Sequence, residues 1–127
     1  MAIATRAGSC TCGKVRYAVE GEPARVGVCH CTLCRQETGS VMMVFAVWPR
    51  AAFSFSGETR TWEGRSFCPN CGSRLFSIGD DEVEIKLGTL QDAATDLTPQ
   101  YELWVWRREH WLSPLAGARQ FQRDREA

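Results

Sequence analysis

No stretch of the chain approaches the about 18 consecutive apolar residues of a membrane-crossing helix. The opening Met-Ala-Ile-Ala-Thr-Arg-Ala-Gly has no apolar run of signal-peptide length. A membrane role and export are therefore not expected, and the expected location is cytoplasmic, where thiols stay reduced. Net charge is lacking too, since 15 Lys and Arg balance 15 Asp and Glu. Without a global field there is no expectation of nucleic-acid or anionic-lipid binding. Arg119, Arg123 and Arg125, standing with Asp124 and Glu126, read as a solvated charged tail. Repeats, low-complexity tracts and linkers are absent, so residues 1–127 read as one domain. A composition that is 44% hydrophobic and 24% charged excludes disorder. Isolated cysteines are missing as well: all seven fall into three tight clusters.

Long helical periodicity is the next absence. Period-two alternation dominates instead, beginning with Lys14–Val19, where Val15, Tyr17 and Val19 alternate with Lys14, Arg16 and Ala18. Further strands are predicted at Arg25–His30, Val41–Trp48, Ala52–Ser56, Arg60–Trp62, Leu75–Ile78, Val83–Leu87 and Tyr101–Trp106. Val41–Trp48 is apolar on both faces, which predicts a doubly covered strand. Only Leu33–Thr38 and Gln91–Thr95 read as helical, and both are short. The fold class is mainly β.

The cysteine clusters are Cys10-Thr11-Cys12, Cys29-His30-Cys31-Thr32-Leu33-Cys34 and Cys68-Pro69-Asn70-Cys71-Gly72. Thiolates two or three residues apart can converge on one ion about 2.3 Å from each sulfur, whereas they are badly placed to bridge one another. On a strand, residues i and i+2 share a face, so Cys10/Cys12 and Cys29/Cys31 read as strand-borne half sites. Cys68-Pro69-Asn70-Cys71-Gly72 reads as a zinc knuckle. Seven ligands divide as four plus three, and a site of three protein ligands keeps an open position, as catalytic zinc does. Spacing permits two divisions. Either Cys10 and Cys12 join Cys68 and Cys71, leaving Cys29, Cys31 and Cys34 as the open site, or Cys31 and Cys34 join the knuckle, leaving Cys10, Cys12 and Cys29. Local proximity within the central trio favours the first division without closing the question.

The Gly8-Ser9-Cys10-Thr11-Cys12-Gly13-Lys14-Val15-Arg16-Tyr17 opening resembles a known zinc family, the glutathione-dependent formaldehyde-activating enzymes and centromere protein V. So do the Cys29-His30-Cys31-x-x-Cys34-Arg35-x-x-Thr38-Gly39 centre, the Phe67-Cys68-Pro69-x-Cys71-Gly72-Ser73 knuckle and the late Trp111-Leu112. The resemblance implies two zinc ions per chain: a structural one on Cys10, Cys12, Cys68 and Cys71, and a catalytic one on Cys29, Cys31 and Cys34. It also implies folded antiparallel β-sheets organised around the structural zinc, as in methionine sulfoxide reductase B.

Three thiolates on a divalent cation leave a net charge near minus one, a poor setting for making hydroxide and a good one for ionising a substrate thiol. The expected activity is carbon–sulfur lyase chemistry on a small thiol or thiol–aldehyde adduct, of the S-hydroxymethylglutathione type. Arg35, following the last ligand, is a candidate partner for a substrate carboxylate. His30 is expected to point away from the ligands as a structural residue, and His110 is expected to be structural. Met42, Phe45 and Val47 are expected in the core. The alternative is a non-catalytic, zinc-stabilised module that docks another protein.

Overall fold

The computed structural model describes residues 4–125, and these form two β-sheets with one short helix. The smaller sheet has three antiparallel strands, β1 (Thr5–Ser9), β2 (Arg16–Glu20) and β5 (Phe53–Ser56), in the order β1-β2-β5. The larger is built from β3 (Arg25–Cys29), β4 (Met43–Pro49), β6 (Arg60–Trp62), β7 (Arg65–Phe67), β8 (Arg74–Ile78), β9 (Glu82–Lys86), β10 (Tyr101–Leu103) and β11 (Arg119–Gln120). Its order is β11-β10-β3-β4-β9-β8-β7-β6. Helix α1 (Thr32–Thr38) lies between β3 and β4 in the chain.

β4 is covered on both faces because its residues alternate into two different cores. Ala46 and Trp48 face the first core, with Val15, Tyr17 and Val19 from the β2 region and Phe53, Phe76 and Ile85. Met43, Phe45 and Val47 face the second, with Tyr101 and Cys29. Trp48 is fully buried and keeps its indole N–H satisfied on the Gly21 carbonyl at 3.0 Å. Burying each large apolar side chain contributes about 1.5–3 kcal/mol, so these two cores supply much of the drive to fold.

The expectation of a mainly β fold holds, with differences. The larger sheet is mixed: β10 runs parallel to both β3 and β11, where wholly antiparallel sheets were expected. β1 and β7 were not anticipated, since Thr-Arg-Ala-Gly-Ser and Arg-Ser-Phe carry little apolar alternation. Residues 91–95 form bends and no helix. The Tyr101–Trp106 strand stops at Leu103 because Trp104 adopts a left-handed backbone, φ 56°, that a strand cannot continue.

Glu102 on β10 joins the end of β3 to the C-terminal loops. Its buried carboxylate meets His30 Nε2 at 2.8 Å and accepts from the Leu115 amide and Gln120 Nε2, each at 2.8 Å. Burial pushes this carboxyl up, but its donors, His30 first, outweigh burial and hold it below the usual carboxylate range. Its stabilisation is therefore present above the unfolded value of about 4.3 and is lost as pH falls through the lower folded value. In urea denaturation, Glu102→Gln should be less stable than wild type by about 1–3 kcal/mol at pH 7. It should also lose less further stability than wild type below about pH 4. Equal acid sensitivity would contradict this role.

Close approach fixes Gly27 on β3. A Cβ there would lie 2.7 Å from the Tyr101 ring and 2.8 Å from Phe45 Cζ, rings that meet edge-on with centroids 6.1 Å apart. Gly27→Ala should cost about 1–3 kcal/mol by overpacking, read as a lower thermal midpoint. An unchanged midpoint would show that these rings move aside freely.

Candidate metal centres

Two turns of similar construction deliver the first group of four cysteines. At the β1–β2 turn, Cys10 N bonds the Val15 carbonyl at 3.0 Å and Gly13 N the Cys10 carbonyl at 3.1 Å. At the other turn, Cys68 N bonds the Ser73 carbonyl at 3.0 Å and Gly72 N the Cys68 carbonyl at 2.8 Å. Gly13 and Gly72 both sit at φ 80°, a backbone that favours glycine and ends each turn. Cys10/Cys12 is thus a second knuckle and not the strand-borne pair expected, because β1 stops at Ser9.

The four sulfurs of Cys10, Cys12, Cys68 and Cys71 lie within 4.8 Å of one another. Cys10–Cys12 measures 3.6 Å and Cys12–Cys68 3.8 Å. A tetrahedron of sulfurs about 2.3 Å from a zinc ion has edges of about 3.8 Å, so the group fits zinc as it stands. Outer contacts hold the sulfurs in place: Val15 N donates to Cys10 Sγ at 3.3 Å, and Ser73 Oγ lies 3.2 Å from Cys71 Sγ. Ser73 also accepts from the Thr11 amide at 3.0 Å, tying one knuckle to the other. Hydrogen bonds led by that of Ser73 lower the Cys71 thiol to about 5, which favours the thiolate a metal needs.

The second group forms where β3 meets α1. Cys29 closes β3 and is buried, while Cys31 is the N-cap of α1 and accepts from Cys34 N at 3.4 Å. The three sulfurs also lie within 4.8 Å of one another. The hydrogen bond from Cys34 lowers the Cys29 thiol to about 7 against the pull of burial. Cys34, which gives that bond and is itself half-buried among sulfurs, is pushed up. Three thiols packed this closely cannot all ionise against one another, and a divalent cation at their centre removes that penalty. Of the two divisions left open by spacing, the geometry has the one that joins Cys10 and Cys12 to the knuckle.

An open cleft of about 360 Å³ lies beside the trio, with Cys34, Met43 and Val47 in its wall together with Glu37, Arg25 and Arg65. Phe45 and Val47 are buried as expected, but Met43, not the half-buried Met42, packs against the sulfurs. Arg25 is paired bidentately with Glu82 at 2.8 and 3.0 Å. Glu37, half-buried, is met by Arg65 at 2.7 Å, Lys86 at 3.0 Å and Arg74 at 3.3 Å. Burial pushes its carboxyl up, but these cations, Lys86 foremost, hold it below the usual range. The sequence carries one signal for Glu37, its i+3 position after Cys34 on a short helix, and none for the three cations.

His30 is buried and turned to Glu102, which leaves it no part in either sulfur group. His110 is exposed. Arg35 pairs with Glu109 and donates to the Arg107 carbonyl at 3.1 Å, and it is not among the residues lining the cleft. Among the described residues no helix is long and apolar enough to cross a membrane.

Metal counting separates the two groups. Cys34→Ser should stay folded and hold one zinc where wild type holds two. Cys68→Ser should lose its cooperative thermal transition, because a structural zinc contributes about 10–16 kcal/mol of binding energy to the folded state. Identical losses in both variants would contradict two separable centres.

Comparison with known proteins gives the chain its relatives. A crystal structure of a Rhodobacter sphaeroides protein shares the fold at a TM-score of 0.54 and 20% identity, over 71% of this chain and 91% of that one. Among curated proteins none matches the chain in sequence. The family profile described as glutathione-dependent formaldehyde-activating enzyme matches residues 5–107, a span that includes all seven cysteines. The chain therefore belongs to the glutathione-dependent formaldehyde-activating enzyme family.

Proposed function

We propose that this chain is a zinc-dependent enzyme of carbon–sulfur lyase type that makes and breaks the adduct of a small thiol with an aldehyde, S-hydroxymethylglutathione being the type of substrate. One observation carries the reading: Cys29, Cys31 and Cys34 bring together only three sulfurs, with Cys34 in the wall of a cleft, whereas Cys10, Cys12, Cys68 and Cys71 bring together the four that complete a tetrahedral set. A zinc ion held by Cys29, Cys31 and Cys34 would supply, at its remaining position, the pull that keeps a substrate sulfur deprotonated. The net step forms one carbon–sulfur bond and moves the thiol proton to the carbonyl oxygen, so it needs no oxidant.

The chain's own residues would do the rest. Met43 and Val47 give the cleft an apolar wall beside Cys34. Arg65 places Nε on Glu37 and Nη1 on the Glu63 carbonyl, and a guanidinium with five N–H donors retains some for a substrate carboxylate. Arg35 keeps a substrate-binding place in this reading only by exchanging Glu109 for that carboxylate. Cys10, Cys12, Cys68 and Cys71 would hold a second, structural zinc. A reducing cytoplasmic setting and an architecture of the methionine sulfoxide reductase B type belong to the same reading. The rival reading, a docking module without catalysis, draws on the exposed Leu33, Trp106 and Trp111.

NMR exchange spectroscopy on formaldehyde and glutathione at equilibrium tests the proposal. Wild type holding two zinc ions should speed interconversion of free and S-hydroxymethylated glutathione, and folded Cys29→Ser should not. No acceleration with glutathione, cysteine or another small thiol would favour the docking module.

A further inference from the structure

We infer that Glu37 is a positioning residue of the three-cysteine centre, its carboxylate seating helix α1 on the large sheet and thereby setting how tightly Cys29, Cys31 and Cys34 hold their metal. The inference rests on reading that trio as a metal site. Helix α1 has seven residues and none is fully buried, so beyond the partial packing of Cys31 and Cys34 on the second core neither intrinsic stability nor an apolar face keeps it in place. Polar ties supply the rest. Arg35 binds one side of the helix to Glu109 and the Arg107 carbonyl, within a loop. Glu37 binds the other side to Arg65 on β7, Arg74 on β8 and Lys86 on β9, three adjacent strands of one sheet. Cys34 lies one helical turn before Glu37, so tilting the helix moves Cys34 and its N-cap Cys31 together.

The same cluster also reaches the other end of the trio. Lys86 Nζ lies 2.7 Å from Met43 Sδ, and Met43 is the cross-strand partner of Cys29 in the β3–β4 register. One carboxylate thus fixes the helix that carries two ligands against the strand pair that carries the third. Partners outside the ligand shell typically account for about 10- to 100-fold in metal affinity.

Cobalt(II), whose thiolate bands report each centre, is the test metal, with chelator competition as the readout. The four-cysteine centre serves as internal control. Glu37→Gln should weaken the three-cysteine centre by about 10- to 100-fold and leave the four-cysteine centre unchanged. Glu37→Asp keeps the charge but falls one methylene short of the strands, so it should lose nearly as much. If the Asp variant binds like wild type while the Gln variant does not, charge and not position is at work, and the inference fails. Unchanged affinity in both would also overturn it. Should Glu37→Gln lose the four-cysteine bands through misfolding, Arg65→Gln replaces it, with an expected loss of about tenfold, the worth of one charge-assisted hydrogen bond; no loss there counts against the inference. Wild type that takes up a single cobalt would overturn both this inference and the metal-site reading beneath it.

Discussion

Sulfur atoms brought within 4.8 Å of one another as thiolates repel unless a cation lies among them, and this chain does so twice. The constraint organises the whole molecule. The first group joins segments 56 residues apart in sequence and rests on the core between the two sheets, where Cys10 and Cys68 are buried. The second rests on the opposite face of β4, against Met43, Phe45 and Tyr101. Each core of the fold therefore ends in one sulfur group, and β4 separates them.

The two groups differ in what encloses them more than in their ligands. Around the four cysteines, the two turns, Ser73 and the Val15 amide supply partners, and Cys12 and Cys71 face solvent. Around the three, the chain supplies a buried strand end, a short helix held largely by polar ties, and an open cleft beside Cys34. Four sulfurs complete a tetrahedral set around an ion, and three leave one position to another ligand. Family membership places this chain among proteins named for joining thiols to formaldehyde, a chemistry suited to an electron-rich thiolate site.

The grouping of the sulfurs is legible in the sequence because the spacing of cysteines within a turn is a local property. Cys68-Pro69-Asn70-Cys71-Gly72 specifies its own turn, and Lys14–Val19 and Val41–Trp48 announce β2 and β4 through alternation. What escaped depends on distant partners. β1 is a strand because β2 offers it a ladder, although Thr-Arg-Ala-Gly-Ser has little β preference. β10 runs parallel to β3 through long connections that no local pattern encodes. The period-two rule puts Cys10/Cys12 on a strand because it ignores the turn that Gly13 permits. Glu37 gathers Arg65, Arg74 and Lys86 from three strands, and each of those cations reads in isolation as an ordinary surface charge.

The central claim is that seven cysteines make two metal centres of unequal ligand count. Anomalous diffraction at the zinc edge, on crystals grown without chelator, addresses it directly. The account predicts two peaks per chain, one equidistant from the sulfurs of Cys10, Cys12, Cys68 and Cys71, and one bound by Cys29, Cys31 and Cys34 with a non-protein fourth ligand. A single peak, or a second peak whose fourth ligand is a side chain of this protein, would contradict it.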